Sequence, residues 1–312
     1  MKKPELLIPA GSVSEVQQYL EAGADAVSVG NSDYGLRLPG SLKAEGMKEA
    51  VSIAHAKNRK IYAAVNALLH NDKLKGLEDY LRQLQEIGVD AVEYADPAVL
   101  MTAKKAIPDM PLHWNAEIIA TSINTLRYWA SKGIKRAVLS RELNMEEVLE
   151  MKEELDLNLE IEAQVHGMSC IFHSKRPLVS SYFHHLGKDA VIEGKGKERG
   201  LYLREEKRDD IFYPIYEDEN GTHIMSAEDI CILENLDEMI DQGIDSFRIE
   251  TLLKPVDYNV TVVKAYRKAI DLYLEDPDAF FGQLDAWKAE IEAVQDPKRP
   301  LSTGFYFKEL VF

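Results

Sequence analysis

The sequence predicts a (β/α)8 barrel with a β-hairpin insertion after its seventh strand and a C-terminal helical and aromatic extension. Three observations carry this. One cadence recurs, in which a helix-like stretch closes on glycine and an apolar strand follows: AGADAVSVG (residues 22–30), IGVDAVEYA (87–95), KGIKRAVLS (132–140) and QGIDSFRIE (242–250). Glycine just past a helix end takes the left-handed cap, and a Val/Ala/Ile run suits a buried parallel strand. The cap glycines Gly23, Gly88, Gly133 and Gly243 lie 65, 45 and 110 residues apart, and each interval holds two strand–helix units. Four further apolar runs bring the strands to eight. The main rival, a doubly wound sheet, wants a glycine-rich phosphate loop after strand one, and PAGSVSEV is a poor one.

The elements follow in order. Residues 5–9 (ELLIP) open the barrel, and 22–30 give strand two. Residues 60–67 (KIYAAVNA), 87–95, 111–116 (PLHWNA), 132–140, 159–166 (LEIEAQVH) and 242–250 complete it. Helical spacing of apolar residues separates them at about 12–22, 42–57, 74–86, 97–105, 121–131, 145–154, 227–241 and 257–274. The last glycine interval is too long by roughly 45–65 residues, and residues 168–225 supply the excess. Its first part is a loop rich in His, Gly and Lys. Its second, YLREEKRDDIFYPIYEDENGTHIM, alternates like strands, and Asn220-Gly221 is a hairpin turn. The barrel is expected over 1–275 and the extension over 276–312, with Trp287 in its core and the tail LSTGFYFKELVF packing back.

Composition narrows the function. Hydrophobic residues make up 46% and charged residues 29%, an ordinary globular balance. No run approaches the ~18 apolar residues of a membrane helix. MKKPELLIPAG has a three-residue apolar core where a signal peptide needs about 7–15. Two cysteines make no disulfide framework, which fits a reducing cytoplasm. The net charge of −16 argues against general nucleic-acid coating but leaves room for a local grip on one RNA.

Barrel chemistry sits at the C-terminal strand ends. Read in order, these ends carry Arg37, Asn66 and His70, then Glu93 and Asp96, then His113, Asn115 and Glu117. Arg141 and Glu142 follow, then Glu160, Glu162, Gln164, His166 and Cys170, and last Arg248 and Glu250. Two readings stay open: a site, or buried pairs such as Arg248 with Glu250 or Glu162. HExxH, GxSxG and GxxxxGK[ST] are absent. His166, His173, His184 and His185 surround Cys170 at no common zinc spacing, so no metal is assigned.

Here the residues resemble a family. Glu162-Ala-Gln-Val-His166-Gly167-Met168-Ser169-Cys170, followed by Ser174-Lys-Arg176-Pro177-Leu-Val-Ser180-Ser181-Tyr182-Phe183, is similar to the signature of peptidase family U32. LLIPAGSVSEVQQYLEAGADAVSVG, KRAVLSREL, the stretch 217–250, VVKAYRKAID and STGFYF resemble other parts of that family, so the likeness spans nearly the whole chain.

The resemblance implies two activities. Some members carry the name of collagenase-like proteases. Others take part in hydroxylation, of the tRNA wobble uridine to 5-hydroxyuridine with prephenate implicated, or of a quinone precursor, and hold an iron–sulfur cluster on four cysteines. Cys170 and Cys231 fall on the first and last of those positions. Pro177 stands at the second, and the third has no cysteine. Ile249-Glu250-Thr251-Leu252 replaces the family's I-E-G-R, and Glu117 its glutamine.

The expectation is therefore a cytoplasmic subunit for tRNA wobble hydroxylation, beside a cysteine-complete paralogue. No cofactor is assigned, and an iron–sulfur cluster is expected only if other ligands or a partner complete it. Arg37, Asn66, Glu117, Arg141, Glu142 and Arg248 are the candidate binding residues, for tRNA or for a small prephenate-like carboxylate that arginine can hold bidentately. In the alternative, a peptidase, Glu162 and His166 are acid/base groups and Cys170 the nucleophile, with Glu250 as a further catalytic candidate. A binding or scaffold protein is the third reading. Arg37, Asn66, Glu117, Arg141, Glu162, His166 and Glu250 are expected to open into one cavity, with Cys170 and Cys231 near one another at its mouth as vestigial ligand positions.

Overall fold

A computed structural model describes residues 2–115, 120–155, 158–187 and 196–308. Seven strands come first: β1 (Glu5–Pro9), β2 (Ala26–Gly30), β3 (Lys60–Val65), β4 (Ala91–Tyr94), β5 (Leu112–Trp114), β6 (Arg136–Val138) and β7 (Glu160–Gly167). An inserted group follows, β8 (Cys170–Ser174), β9 (Leu201–Glu205), β10 (Arg208–Asp218) and β11 (Gly221–Met225), then β12 (Asp229–Cys231), β13 (Ser246–Ile249) and β14 (Leu301–Ser302). β1 to β7 pair in parallel in chain order, and β13 pairs in parallel with both β1 and β7. The eight-stranded parallel barrel is closed.

Helices clothe it: α1 (Val13–Ala22), α2 (Ala44–Ala56), α3 (Asn71–Leu74), α4 (Leu77–Ile87), α5 (Pro97–Ala106), α6 (Ile123–Ser131) and α7 (Met145–Glu153). Then come α8 (Leu178–His185), α9 (Leu236–Asp241), α10 (Val256–Glu275), α11 (Pro277–Phe281) and α12 (Leu284–Glu292). Local chemistry sets their ends. The Ser12 hydroxyl accepts from Glu15 N to start α1, and Asn144 with Glu147 forms a capping box on α7. Gly23 and Gly88 cap α1 and α4 in the left-handed conformation. Between helices and barrel lies one apolar core, from Leu6, Ile8 and Val27 to Val262, Tyr266 and Ile270.

Two stretches differ from the sequence expectation. The insertion is more than a hairpin: β8, β11, β10 and β9 form a four-stranded antiparallel sheet in that order, with the predicted turn at Asn220-Gly221 joining β10 to β11. β8 comes from the stretch expected to be loop. The helix expected over 227–241 begins only at Leu236, because β12 occupies its start. Asp229 there is buried and accepts from Arg299 at 2.7 Å and from Lys254, which fixes an extended chain. Ile230 and Cys231 then pair antiparallel with Gly167 and His166.

The inserted sheet docks on the barrel mouth. Tyr216 and Met225 pack with Met168 and Leu252. Asn220 Nδ2 donates to the Gly35 carbonyl at 3.3 Å, and Lys197 Nζ donates to the Leu38 carbonyl. The loop that carries Arg37 is thus pinned between barrel and insertion. At the other side the C-terminal segment packs back: Trp287 is buried, and the Tyr306 hydroxyl donates to Gln164 O at 2.7 Å.

Candidate functional site

Strand alternation sends Glu160, Glu162 and Gln164 of β7, and Ser246 and Arg248 of β13, into the barrel. Few apolar side chains meet them there. The interior apolar cluster is Leu7, Ala26, Tyr62 and Ala91. Charge fills the rest, and buried charge is tolerated when paired. Arg136 donates to Glu5 at 2.7 Å, Glu160 at 2.8 Å and Glu162 at 3.1 Å. Arg248 donates to Glu162 at 2.6 Å and to Glu93 at 2.7 Å, and lies 3.9 Å from Glu250. Arg141 donates to Glu250 at 3.0 Å. The result is a ladder of alternating charges from barrel floor to mouth. Burial pushes the Glu93 carboxyl up, against the pull of Arg248. Burial, with Arg136 and Arg248 nearby, keeps His113 neutral.

The ladder corrects one expectation. Glu162 does not open into the mouth. It is fully buried between two guanidinium groups, and Arg248 closes it off from above. His166 is a second correction. Simple alternation groups it with Glu162 and Gln164, but β7 carries a bulge: Arg248 pairs with Gln164, and its neighbour Ile249 pairs with His166. The extra residue, Val165, turns His166 to the outer face of the barrel wall. There Nε2 shares a hydrogen bond with the Tyr258 hydroxyl at 2.8 Å, and Nδ1 lies 3.4 Å from that of Tyr266, both on α10. Burial drives its pKa down to about 3, so the ring stays neutral.

Arg37, Asn66, Arg141, Arg248 and Glu250 do meet, around a cavity of about 40 Å³ that Glu93, Asn115 and Met168 also line. An outer cavity of about 330 Å³ shares Arg37, Asn66 and Asn115 with it and adds Leu68, Cys170, Ile171, Phe172 and His173. Arg37 stands at φ 54, a left-handed conformation that a non-glycine residue adopts where surrounding structure enforces it. Glu142 is exposed beyond Arg141 and lines neither space. Glu117 lies outside the described residues. Asn115 and Glu93 were visible in the sequence only as strand ends; what marks them is that both line the inner cavity, Glu93 as the ladder's partner of Arg248.

The histidines around Cys170 do not gather. His173 stacks on His223 at 4.7 Å and its Nε2 faces the Asn220 carbonyl at 3.0 Å, while His184 and His185 are exposed on α8. Neither Cys170 nor Cys231 is in a disulfide, and the two sit in separate surroundings. Cys170 borders the outer cavity, whereas Cys231 accepts a contact from the Tyr266 hydroxyl at 3.7 Å behind β7.

A family model described as peptidase family U32 matches residues 11–310. The chain belongs to peptidase family U32. Among U32 relatives, tRNA hydroxylation protein P2 of Bacillus subtilis is 49% identical over 312 residues, the whole of both chains. tRNA hydroxylation protein P1 of the same organism is 34% identical, over 98% of this chain and 71% of its own length. A solved dihydrodipicolinate synthase from Bacillus anthracis shares the fold alone, with a TM-score of 0.51 at 11% identity, covering 94% of this chain and 82% of its own.

The iron–sulfur cluster implied by resemblance to some U32 members does not fit these residues. Such a cluster is held by four thiolates, or by two with two histidines. The sequence holds two cysteines, and among the described residues no three His, Cys, Asp or Glu side chains come together as metal ligands. Burial also pushes the Cys231 thiol up, away from the thiolate a metal needs.

Proposed function

We propose that this chain acts in 5-hydroxylation of the tRNA wobble uridine, as a cytoplasmic subunit beside a cysteine-complete paralogue. One observation carries the reading: the 49% identity to tRNA hydroxylation protein P2 runs the full length of both chains. A second such protein, P1, in the same organism supports a pair of paralogues. No helix among the described residues is long and apolar enough to cross a membrane, which is compatible with that location.

The mouth supports a small, prephenate-like carboxylate as co-substrate. Arg37 and Arg141 both line the inner cavity, and arginine forks match carboxylates. Arg248 is committed to Glu162 and Glu93, so it contributes charge from beneath. Glu250, held by Arg141 and open to the cavity, is the acidic group best placed to meet a ligand there, and Cys170 borders its outer part. The peptidase reading gains nothing from the geometry, because Glu162 is locked in the ladder and His166 bonds to tyrosines outside the barrel.

The test is nucleoside analysis of tRNA from strains lacking this chain, the paralogue, or both. We expect 5-hydroxyuridine derivatives to fall in each and to return when both genes are restored. Unchanged levels in the double deletion overturn the reading.

A further inference from the structure

Two amides at the mouth are not used by the ion-pair ladder. Asn115, just beyond β5, is buried, and its Oδ1 has no hydrogen-bond partner. Asn66, just beyond β3, accepts from Leu36 N through Oδ1 at 2.8 Å, so Nδ2 is the group it offers to the cavity. A buried polar atom left unpaired costs stability and asks for an explanation. Both amides line the outer cavity of about 330 Å³, whose apolar wall is Leu68, Ile171 and Phe172. Those three side chains are exposed, Phe172 with 42% of its surface open. That volume is at the small end for ligand sites, about 300–1,000 Å³, and suits one planar ring rather than a peptide strand.

We propose that Asn66 and Asn115 read the hydrogen-bonding edge of a pyrimidine base lifted from its stack into this cavity, with uracil favoured over cytosine. The inference rests on the tRNA reading above and assigns that reading its specificity residues. Uracil presents an N3–H donor between two carbonyl acceptors. The Asn115 Oδ1 accepts from N3–H, and its Nδ2 donates to one flanking carbonyl. Asn66, its Oδ1 held by Leu36, donates Nδ2 to the other, O4. Cytosine puts an amino donor at that position, so two donors would face each other. Phe172 supplies an aromatic face, and a base taken out of the stack is commonly held by such stacking and edge contacts. Arg37 lines the same cavity and brings a cation to it, the kind of group that meets nucleic-acid phosphates.

The experiment measures binding of the full chain, alone and with the paralogue, to anticodon stem-loop RNAs by fluorescence anisotropy at one fixed salt concentration. The RNAs carry uridine, cytidine or an abasic site at the wobble position. Wild type is expected to bind the uridine RNA about tenfold tighter than the other two, within the range of one good base contact. Asn115→Ala is expected to weaken uridine binding severalfold, without reaching the abasic level because Asn66 and Phe172 still meet the base. Asn66→Asp keeps the acceptor for Leu36 N and replaces the donor with an acceptor that repels O4, so it is expected to shrink the uridine preference severalfold while Asn115 still reads N3–H. Should that variant fail to fold in a thermal melt, the neutral Asn66→Ser is expected to narrow the uridine preference in the same direction. A wild type that binds the stem-loop without base preference overturns the inference while leaving the tRNA reading standing, and so does a folded Asn66→Asp whose uridine preference is undiminished. No binding to any stem-loop, with or without the paralogue, overturns both.

Discussion

Arg248 and Asp229 show how single side chains hold this molecule. Arg248 lies between Glu162, Glu93 and Glu250, and all but the last are sealed from solvent. Replacing it with methionine leaves the buried Glu93 carboxylate without its cation and Glu162 with Arg136 alone. Loss of one partner from such a pair costs about 3–5 kcal/mol, which urea unfolding measures. A loss under about 1 kcal/mol would show that water already reaches the ladder. Asp229 gives a pH signature. Burial opposes its ionisation, but Lys254 and Arg299 outweigh burial and hold its pKa at about 2, below the ordinary 3.8. A carboxyl with a depressed folded pKa contributes stability that is complete above about pH 4 and lost as pH falls towards 2. At about 1.4 kcal/mol per unit this amounts to about 2 kcal/mol. His166, neutral when folded and protonated when unfolded, acts in the same direction from below pH 6.5. Asp229→Asn is expected to flatten the melting temperature between pH 4 and 2 relative to wild type, on a lower plateau because Lys254 and Arg299 lose their counterion. An unchanged slope would remove Asp229 from the account.

At the scale of the element, the end of β7 decides what reaches the mouth. Its bulge at Val165 sends His166 outward. Gly167 then turns the chain at φ +95, and a Cβ there would lie 2.3 Å from the Glu250 carbonyl. Gln164 Nε2 braces this turn by donating to the Gly167 carbonyl at 3.1 Å. Gly167→Ala therefore forces β7 and β13 apart where Arg248 and Glu250 sit. We expect it to lower stability by more than ~1 kcal/mol, since φ is positive there, and to weaken ligand binding at the mouth. Wild-type thermal stability in that variant would mean that the strands separate freely. The bulge also explains what the sequence hid. A period of two puts Glu162, Gln164 and His166 on one face, and nothing in EIEAQVHG marks where the period slips. The strands and their order were legible because cap glycines and buried Val/Ala runs are local signals. β12 was not, because its extended form depends on Asp229 meeting Lys254 and Arg299, distant in the chain.

For the whole molecule, the barrel closes with an ion-pair ladder at its centre, and the two cysteines sit in different surroundings. Arg37, Asn66, Arg141 and Glu250 were legible as a group because strand C-ends converge in a barrel whatever their distance in sequence. Glu162 carried the same signal, and depth alone separates it from them. The cysteines were placed by family likeness, and their surroundings now argue against a resident cluster. Cys231 is a half-buried thiol beside the Tyr266 hydroxyl, its pKa raised by desolvation, and Cys170 borders an open cavity. Two thiolates would leave half of a four-iron cluster without protein ligands, and exposed iron is lost to oxidation. The chain purified alone without oxygen is therefore expected to hold iron and sulfide far below one cluster per chain. The complex with the paralogue is expected to carry iron in proportion to the paralogue. A Cys170→Ser, Cys231→Ser double variant of this chain should leave the iron content of that complex unchanged. Near-stoichiometric iron and sulfide with visible absorbance in the lone chain would overturn this division of labour and return the chemistry to this subunit.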